Sequence, residues 1–275
     1  MVRLRLGAPL ADDPATVTDY KHEGGRAPMS SESIATLGTR LAITFTLREA
    51  LDVVVGYAFG TPATEPYATN NPRLYAYRSY DCALRSADTT VCEADMFASV
   101  GLNSGITAGV MLRILAVLDQ TPVLPDLSGI PDLWHLDVAR LNRDPGPGYP
   151  EHELWKWYDL LTSIDGVGGA VAAKIVHHRY PRVMPLWDSY IGRAYHSGDT
   201  WGEICQDLVD NAEWFDELEL RFGQYRTAHQ GGDGVNLARL RLLDILVWGD
   251  RANHRGHLVQ RGRALLKGPA SPDEW

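Results

Sequence analysis

Leu160-Leu161-Thr162-Ser163-Ile164-Asp165-Gly166-Val167-Gly168-Gly169-Ala170-Val171-Ala172-Ala173-Lys174-Ile175 is the stretch around which the chain organises. An amphipathic helical run ends in a Gly-x-Gly turn, and a second helical run begins at once. Such a turn exposes backbone N–H groups at a helix N-terminus, where the helix dipole also favours an anion. Glycines at 166, 168 and 169 let a phosphate approach the backbone with no Cβ in the way. The same residues equally suit a tight helix–helix connection in which glycine is an ordinary C-cap.

Working outward, a helix from about Glu151 to Ser163 enters the turn, after a loop at Asn142-Arg143-Asp144-Pro145-Gly146-Pro147-Gly148-Tyr149-Pro150. Downstream, helical patterning covers Ala170–Arg179, Asp188–His196, Trp201–Phe222 and Leu237–Trp248. Upstream, Thr46-x-x-Glu49 is a capping-box pattern opening a helix with Leu47, Leu51, Val54, Val55 and Ala58 on one stripe. Gly60-Thr61-Pro62 stops that helix, and further helices are expected over Asp95–Leu102 and Ile106–Leu118. Residues 61–92 are loop-rich and aromatic. Residues 1–35 open with an alternating run, Val2 to Leu6, that suits a short strand, and continue as an arm or loop. Almost nothing else reads as strand. The expected fold is mostly α. Two helical lobes are expected across 36–275, with the hairpin at 153–180 and a basic C-terminal segment at 251–267.

Charged residues make up 22% and hydrophobic residues 45% of the 275, the balance of an ordinary globular chain. No apolar run approaches a membrane span, and Met1 to Leu10 lacks the apolar core of a secretory signal, so a cytoplasmic protein is expected. Three cysteines, Cys82, Cys92 and Cys205, are too few and scattered for a thiolate metal site. The sequence calls for no metal or cofactor. The net charge of -9 opposes a nucleic-acid partner when taken globally. Its distribution is uneven: Glu203 to Glu219 holds seven acids and no Lys or Arg, whereas Arg251 to Lys267 holds five bases and no acids. That basic segment suits either a surface lying along DNA or a solvated tail helix.

Beyond the hairpin the chain reads Pro185-Leu186-Trp187-Asp188-Ser189-Tyr190-Ile191-Gly192-Arg193, with Asp188 placed 22 residues after Gly166. In this the sequence resembles the helix-hairpin-helix DNA glycosylase superfamily, which includes endonuclease III and the adenine-mismatch and oxoguanine glycosylases. Family members carry a leucine-proline-glycine-valine-glycine hairpin, a helix, a short loop and then an aspartate. Here Asp165 stands where the family has proline, a departure that bears on hairpin rigidity. The resemblance is clearest over 153–196 and extends more weakly to 95–118.

The resemblance implies a base-excising enzyme acting as a monomer on duplex DNA. Gly166, Val167, Gly168, Gly169 and Lys174 would bind the backbone, and Asp188 would be the catalytic carboxylate. Such an enzyme turns a base out of the stack and cleaves its N-glycosidic bond. A carboxylate stabilises the cationic sugar and orients or deprotonates water. Asp188 also suits an ordinary N-cap, since it begins an expected helix. Family members that nick the backbone carry a lysine where this chain has Ala170, so the comparison implies water-mediated excision. Among eight tryptophans, Trp187, with Tyr190, is the expected pocket wall, whereas Trp155, Trp214 and Trp248 are expected in the core. Asn103 and Ser104, at a helix break, are candidates for a wedge inserted into the base stack. His177-His178-Arg179 are candidates for phosphate contact. The damaged or modified base is left open, as is a role in repair or in defence against phage DNA. Two rival readings remain: a non-catalytic DNA-binding module, and a structural turn in an unrelated helical protein.

Overall fold

The computed structural model describes residues 29–59, 80–81, 91–102, 104–121, 124–125, 127, 129–196, 198, 200–230, 235 and 237–267. The Val2–Leu6 run, most of the aromatic insert and Asn103 lie outside them. The described chain is mostly helical, with one two-stranded sheet.

That sheet lies where no strand was expected, within an otherwise helical chain as anticipated. β1 (Ile34–Leu37) and β2 (Ile43–Thr46) pair antiparallel, with Ile34 opposite Thr46 and Leu37 opposite Ile43. Ala35, Leu37, Ile43 and Phe45 face inward. The period-2 signal is blurred because Ile34, on the outward face, is 63% exposed. Thr46 ends β2 and starts α1 (Leu47–Phe59), its hydroxyl accepting the Glu49 amide at 3.1 Å, as the capping pattern predicts.

α1 is buried almost all round, including Asp52. α2 (Glu93–Val100) and α3 (Ala108–Gln120) follow, then α4 (Pro150–Thr162) and α5 (Gly169–Arg179) on either side of the glycine turn. α6 (Ile191–Ala194) is a single turn, shorter than expected because the chain from 185 to 190 stays extended or turned. The helix predicted over Trp201–Phe222 is two, α7 (Thr200–Asp210) and α8 (Ala212–Gln230). Between them, the Asn211 side chain donates to the Asp207 carbonyl at 2.9 Å, competing with continued helix. α9 (Arg239–Arg251) and α10 (Arg255–Leu266) close the chain.

α10 carries the basic segment, and it is neither a free stripe nor a solvated tail. It crosses α1 at backbone contact: a Cβ at Gly56 would lie 2.1 Å from the Leu258 carbonyl oxygen, and one at Gly262 would lie 1.8 Å from that of Asp52. Two of its cations pair with carboxylates of neighbouring elements. Arg255 pairs with Glu49 at 2.7 Å and Asp250 at 3.1 Å, and Arg263 reaches Asp52 at 3.1 Å. Burial raises the Asp52 pKa, an effect that Arg263 and Arg48 partly oppose. One continuous apolar cluster links α1, α4, α5 and α7–α10.

Candidate active site

The glycine turn is built by three different demands. Gly166 has φ +86°, the left-handed conformation that glycine adopts at no steric cost, and Val167 N–H then returns to the Ile164 carbonyl at 2.9 Å. A Cβ at Gly169 would lie 2.3 Å from the Tyr158 hydroxyl, so this glycine exists for α4–α5 packing. Gly168 is extended and is the N-cap of α5; no side chain caps it, and a Cβ there would meet nothing within 4 Å. Arg113 of α3 donates from Nε to the Asp165 carbonyl at 3.0 Å and sets a half-exposed cation beside the turn. The Val167 side chain is in the core, so only its backbone is available to a ligand.

Beyond the turn, α5 runs inward. This overturns the assignment of its cations to phosphate. His177, His178 and Arg179 are all buried. His177 donates to the Met184 carbonyl at 2.7 Å, and His178 is hydrogen-bonded to Asp95 at 2.6 Å. Arg179 binds the same carboxylate at 2.8 and 3.0 Å. Those bonds hold the Asp95 pKa below its ordinary value despite its burial. Lys174 is likewise not a surface phosphate contact. Its ammonium is buried and donates to the Leu102 carbonyl at 2.8 Å.

Lys174 opens instead onto a cavity of about 250 Å³ that Asp188, Trp187 and Tyr190 also line. Asp188 accepts the Tyr190 and Ile191 amides at 2.8 and 3.0 Å, both on Oδ1. It therefore caps the turn leading into α6 and is a cavity carboxylate at once. Tyr190 carries the Arg193 guanidinium 5.3 Å from its ring centroid. Ser104 is not among the lining residues; its hydroxyl lies 3.3 Å from that of Ser99, and the segment reaches the cavity through Leu102.

The rest of the lining comes from α1 and α9, which the sequence reading did not connect with Asp188. Tyr57 of α1 and Arg241, Asp244 and Trp248 of α9 complete the wall. Arg241 binds Asp81 through Nε and Nη2 at 2.7 and 2.9 Å, and also hydrogen-bonds Asp244 and the Tyr57 hydroxyl. Tyr57 donates to Asp81 at 2.7 Å. Around the cavity, three carboxylates (Asp81, Asp188 and Asp244) face two cations, Arg241 and Lys174. A proton held on one carboxylate balances the set.

Asp244 is the group suited to hold it. Burial raises its pKa to about 7, with Asp188 and Asp81 adding to the rise and Arg241 and Lys174 opposing it. Burial also lowers the Lys174 pKa, with Asp188 and Asp244 opposing. A carboxylic acid titrating near neutrality, next to a carboxylate bonded to backbone amides, is a pair suited to proton donation and cation stabilisation. The available sequence signal was in α9: Arg241, Asp244 and Trp248 fall at helical i, i+3, i+7 spacing within an otherwise apolar run.

Residues 61–251 match a model described as a family of unknown function, DUF6308. The chain belongs to that family. The DUF6308 match includes the glycine turn and every lining residue of the cavity except Tyr57. Neither a curated protein nor a solved structure matches the chain. No helix among the described residues is long and apolar enough to cross a membrane.

Proposed function

We propose that this protein is a monofunctional DNA glycosylase, hydrolysing the N-glycosidic bond of a damaged or modified base turned out of duplex DNA. The observation that carries the reading is that Asp188, set 22 residues beyond Gly166, lines one cavity with a second carboxylate whose pKa is raised to about 7. A cavity of roughly 150 Å³ holds one benzene, so about 250 Å³ suits a base of one or two rings.

In this mechanism the base enters between Trp187, Tyr190 and Trp248. The C1′–N bond breaks, and its electron pair passes to the base nitrogen. Asp244 supplies the proton that neutralises the departing base. Asp188 stabilises the cationic sugar and accepts a proton from the water that adds at C1′. Arg241, held by Asp81 and Tyr57, keeps Asp244 in place. The exposed amide end at Gly168, with Arg113 beside the turn, is the element suited to the DNA backbone. The net charge of -9 and the pairing of two α10 cations limit the other contacts, so binding should depend on few phosphates.

The test is incubation of the purified chain with duplexes carrying alkylated, oxidised, deaminated and 5-substituted bases, followed by alkali cleavage. Strand breaks that vanish in Asp188→Asn support the reading. Salt-sensitive binding with no base released from any duplex supports the non-catalytic module instead.

The burial of the Lys174 amine beside Asp188 favours one second reading. Lys174 lies one helical turn beyond Ala170, on the same side of α5. With its proton affinity lowered, the amine itself can attack C1′ in place of water, forming a covalent intermediate.

A further inference from the structure

A second cavity, of about 230 Å³, lies across Trp187 from the first. Its walls are Trp155 and Tyr158 of α4, Trp201 of α7 and Trp187 itself, with Asn142, Thr200 and Gly198 contributing polar edges. Trp155, expected in the core, packs against it at the edge and also forms part of this wall. Trp155 and Trp201 are 4.7 Å apart between centroids and inclined at 40°. Tyr158 stands at 81° to the first and 88° to the second. The rings thus form a right-angled corner rather than a parallel slot.

That shape and lining select a ligand. A flat heteroaromatic ring would stack on one face only in this corner. No charged side chain lines this cavity among the described residues, so a cation would rest on ring faces alone. A pyranose fits both properties: its C–H faces lie against indole faces in more than one direction, and its hydroxyls reach the polar edges. Thr200 already donates its hydroxyl proton to the His196 carbonyl at 2.7 Å, so its oxygen is available as an acceptor.

We propose that this cavity is a saccharide subsite, which takes a neutral hexose carried on the base held in the first cavity. The proposal rests on the glycosylase reading for the attachment of the sugar, but not for its recognition. Trp187 is the shared wall past which the substituent runs. Its ring is seated over Gly192, where a Cβ would lie 3.7 Å from the indole.

Two measurements on the full chain test it. The first titrates methyl β-D-glucoside against intrinsic tryptophan fluorescence. Saturable quenching is expected, weakened by about tenfold in Asn142→Ala, an exposed edge position, and in Trp201→Phe. The second compares duplexes carrying one glucosylated hydroxymethylcytosine, one unglucosylated hydroxymethylcytosine or one cytosine, with mass spectrometry of released bases. Preferential release of the glucosylated base, lost in the same two variants, supports the subsite. Release of bases with no preference for the sugar, and no response to the glucoside, overturns the proposal and leaves the glycosylase reading standing. Glucoside binding with no base released from any duplex overturns the glycosylase reading and the attachment to DNA together, leaving a site for free saccharide.

Discussion

Arg241 grips Asp81 with two parallel hydrogen bonds, Nε to Oδ1 at 2.7 Å and Nη2 to Oδ2 at 2.9 Å, across 160 residues of sequence. This forked geometry neutralises the guanidinium with a carboxylate outside the cavity. Asp244 is left with the remaining Nη1, and its charge is only partly compensated. Burial therefore dominates at Asp244 and raises its pKa to about 7, with Arg241 opposing only in part. Replacing Arg241 with Leu strands two buried carboxylates. We expect a loss of about 3–5 kcal/mol in urea unfolding, with partial recovery on adding Asp81→Asn.

The proton on Asp244 makes stability depend on pH. Its folded pKa is about 7, above the ordinary carboxylate value. From roughly pH 4 upward the unfolded chain has lost a proton that the folded chain keeps. Stability therefore falls as pH rises towards about 7, by an amount on the order of a few kcal/mol. Asp244→Asn should remove this slope, so its melting temperature should gain on the natural chain between pH 5 and pH 8. Equal slopes in the two proteins would remove Asp244 as the titrating group.

The two roles of Asp188 are separable. Asparagine caps a helix about as well as aspartate, so Asp188→Asn should leave the melting temperature nearly unchanged. Asp188→Ala should lose about 1 kcal/mol with the amide bonds to Tyr190 and Ile191. Both variants should lower base release by about 10²–10³ on a duplex that the natural enzyme cuts. Full activity in Asp188→Asn would leave the residue with capping alone.

The glycines should divide by neighbourhood rather than by type. Gly56→Ala and Gly262→Ala push a methyl into the backbone of a crossing helix, at 2.1 and 1.8 Å. Each should cost at least about 1–3 kcal/mol in thermal melts. Gly168→Ala meets open space and should fold normally, yet weaken duplex binding at low salt if a phosphate approaches that amide. Unchanged binding in Gly168→Ala would move the backbone contact elsewhere.

Lys174 discriminates between water and amine as nucleophile. With water, borohydride added during turnover should trap no protein–DNA adduct. A trapped adduct that is absent in Lys174→Met would assign the attack to the amine.

Much of this molecule is written locally. The glycine turn, its flanking helices, the Thr46 cap and the position of Asp188 at a loop–helix junction follow from short-range pattern, because capping and helical periodicity are decided within a few residues. Which face meets which is not local. His177, His178 and Arg179 look like free cations until Asp95 and the Met184 carbonyl are brought against them. The basic segment looks exposed until Gly56 and Gly262 let α10 sink onto α1. The two-stranded sheet escaped because Ile34 places an apolar side chain on the solvent face. Sequence therefore determined the turn and the first carboxylate. Only the tertiary structure brought Arg241 and Asp244 to Asp188 and Lys174, since burial and opposing charge are properties of the assembled cavity and not of any one helix.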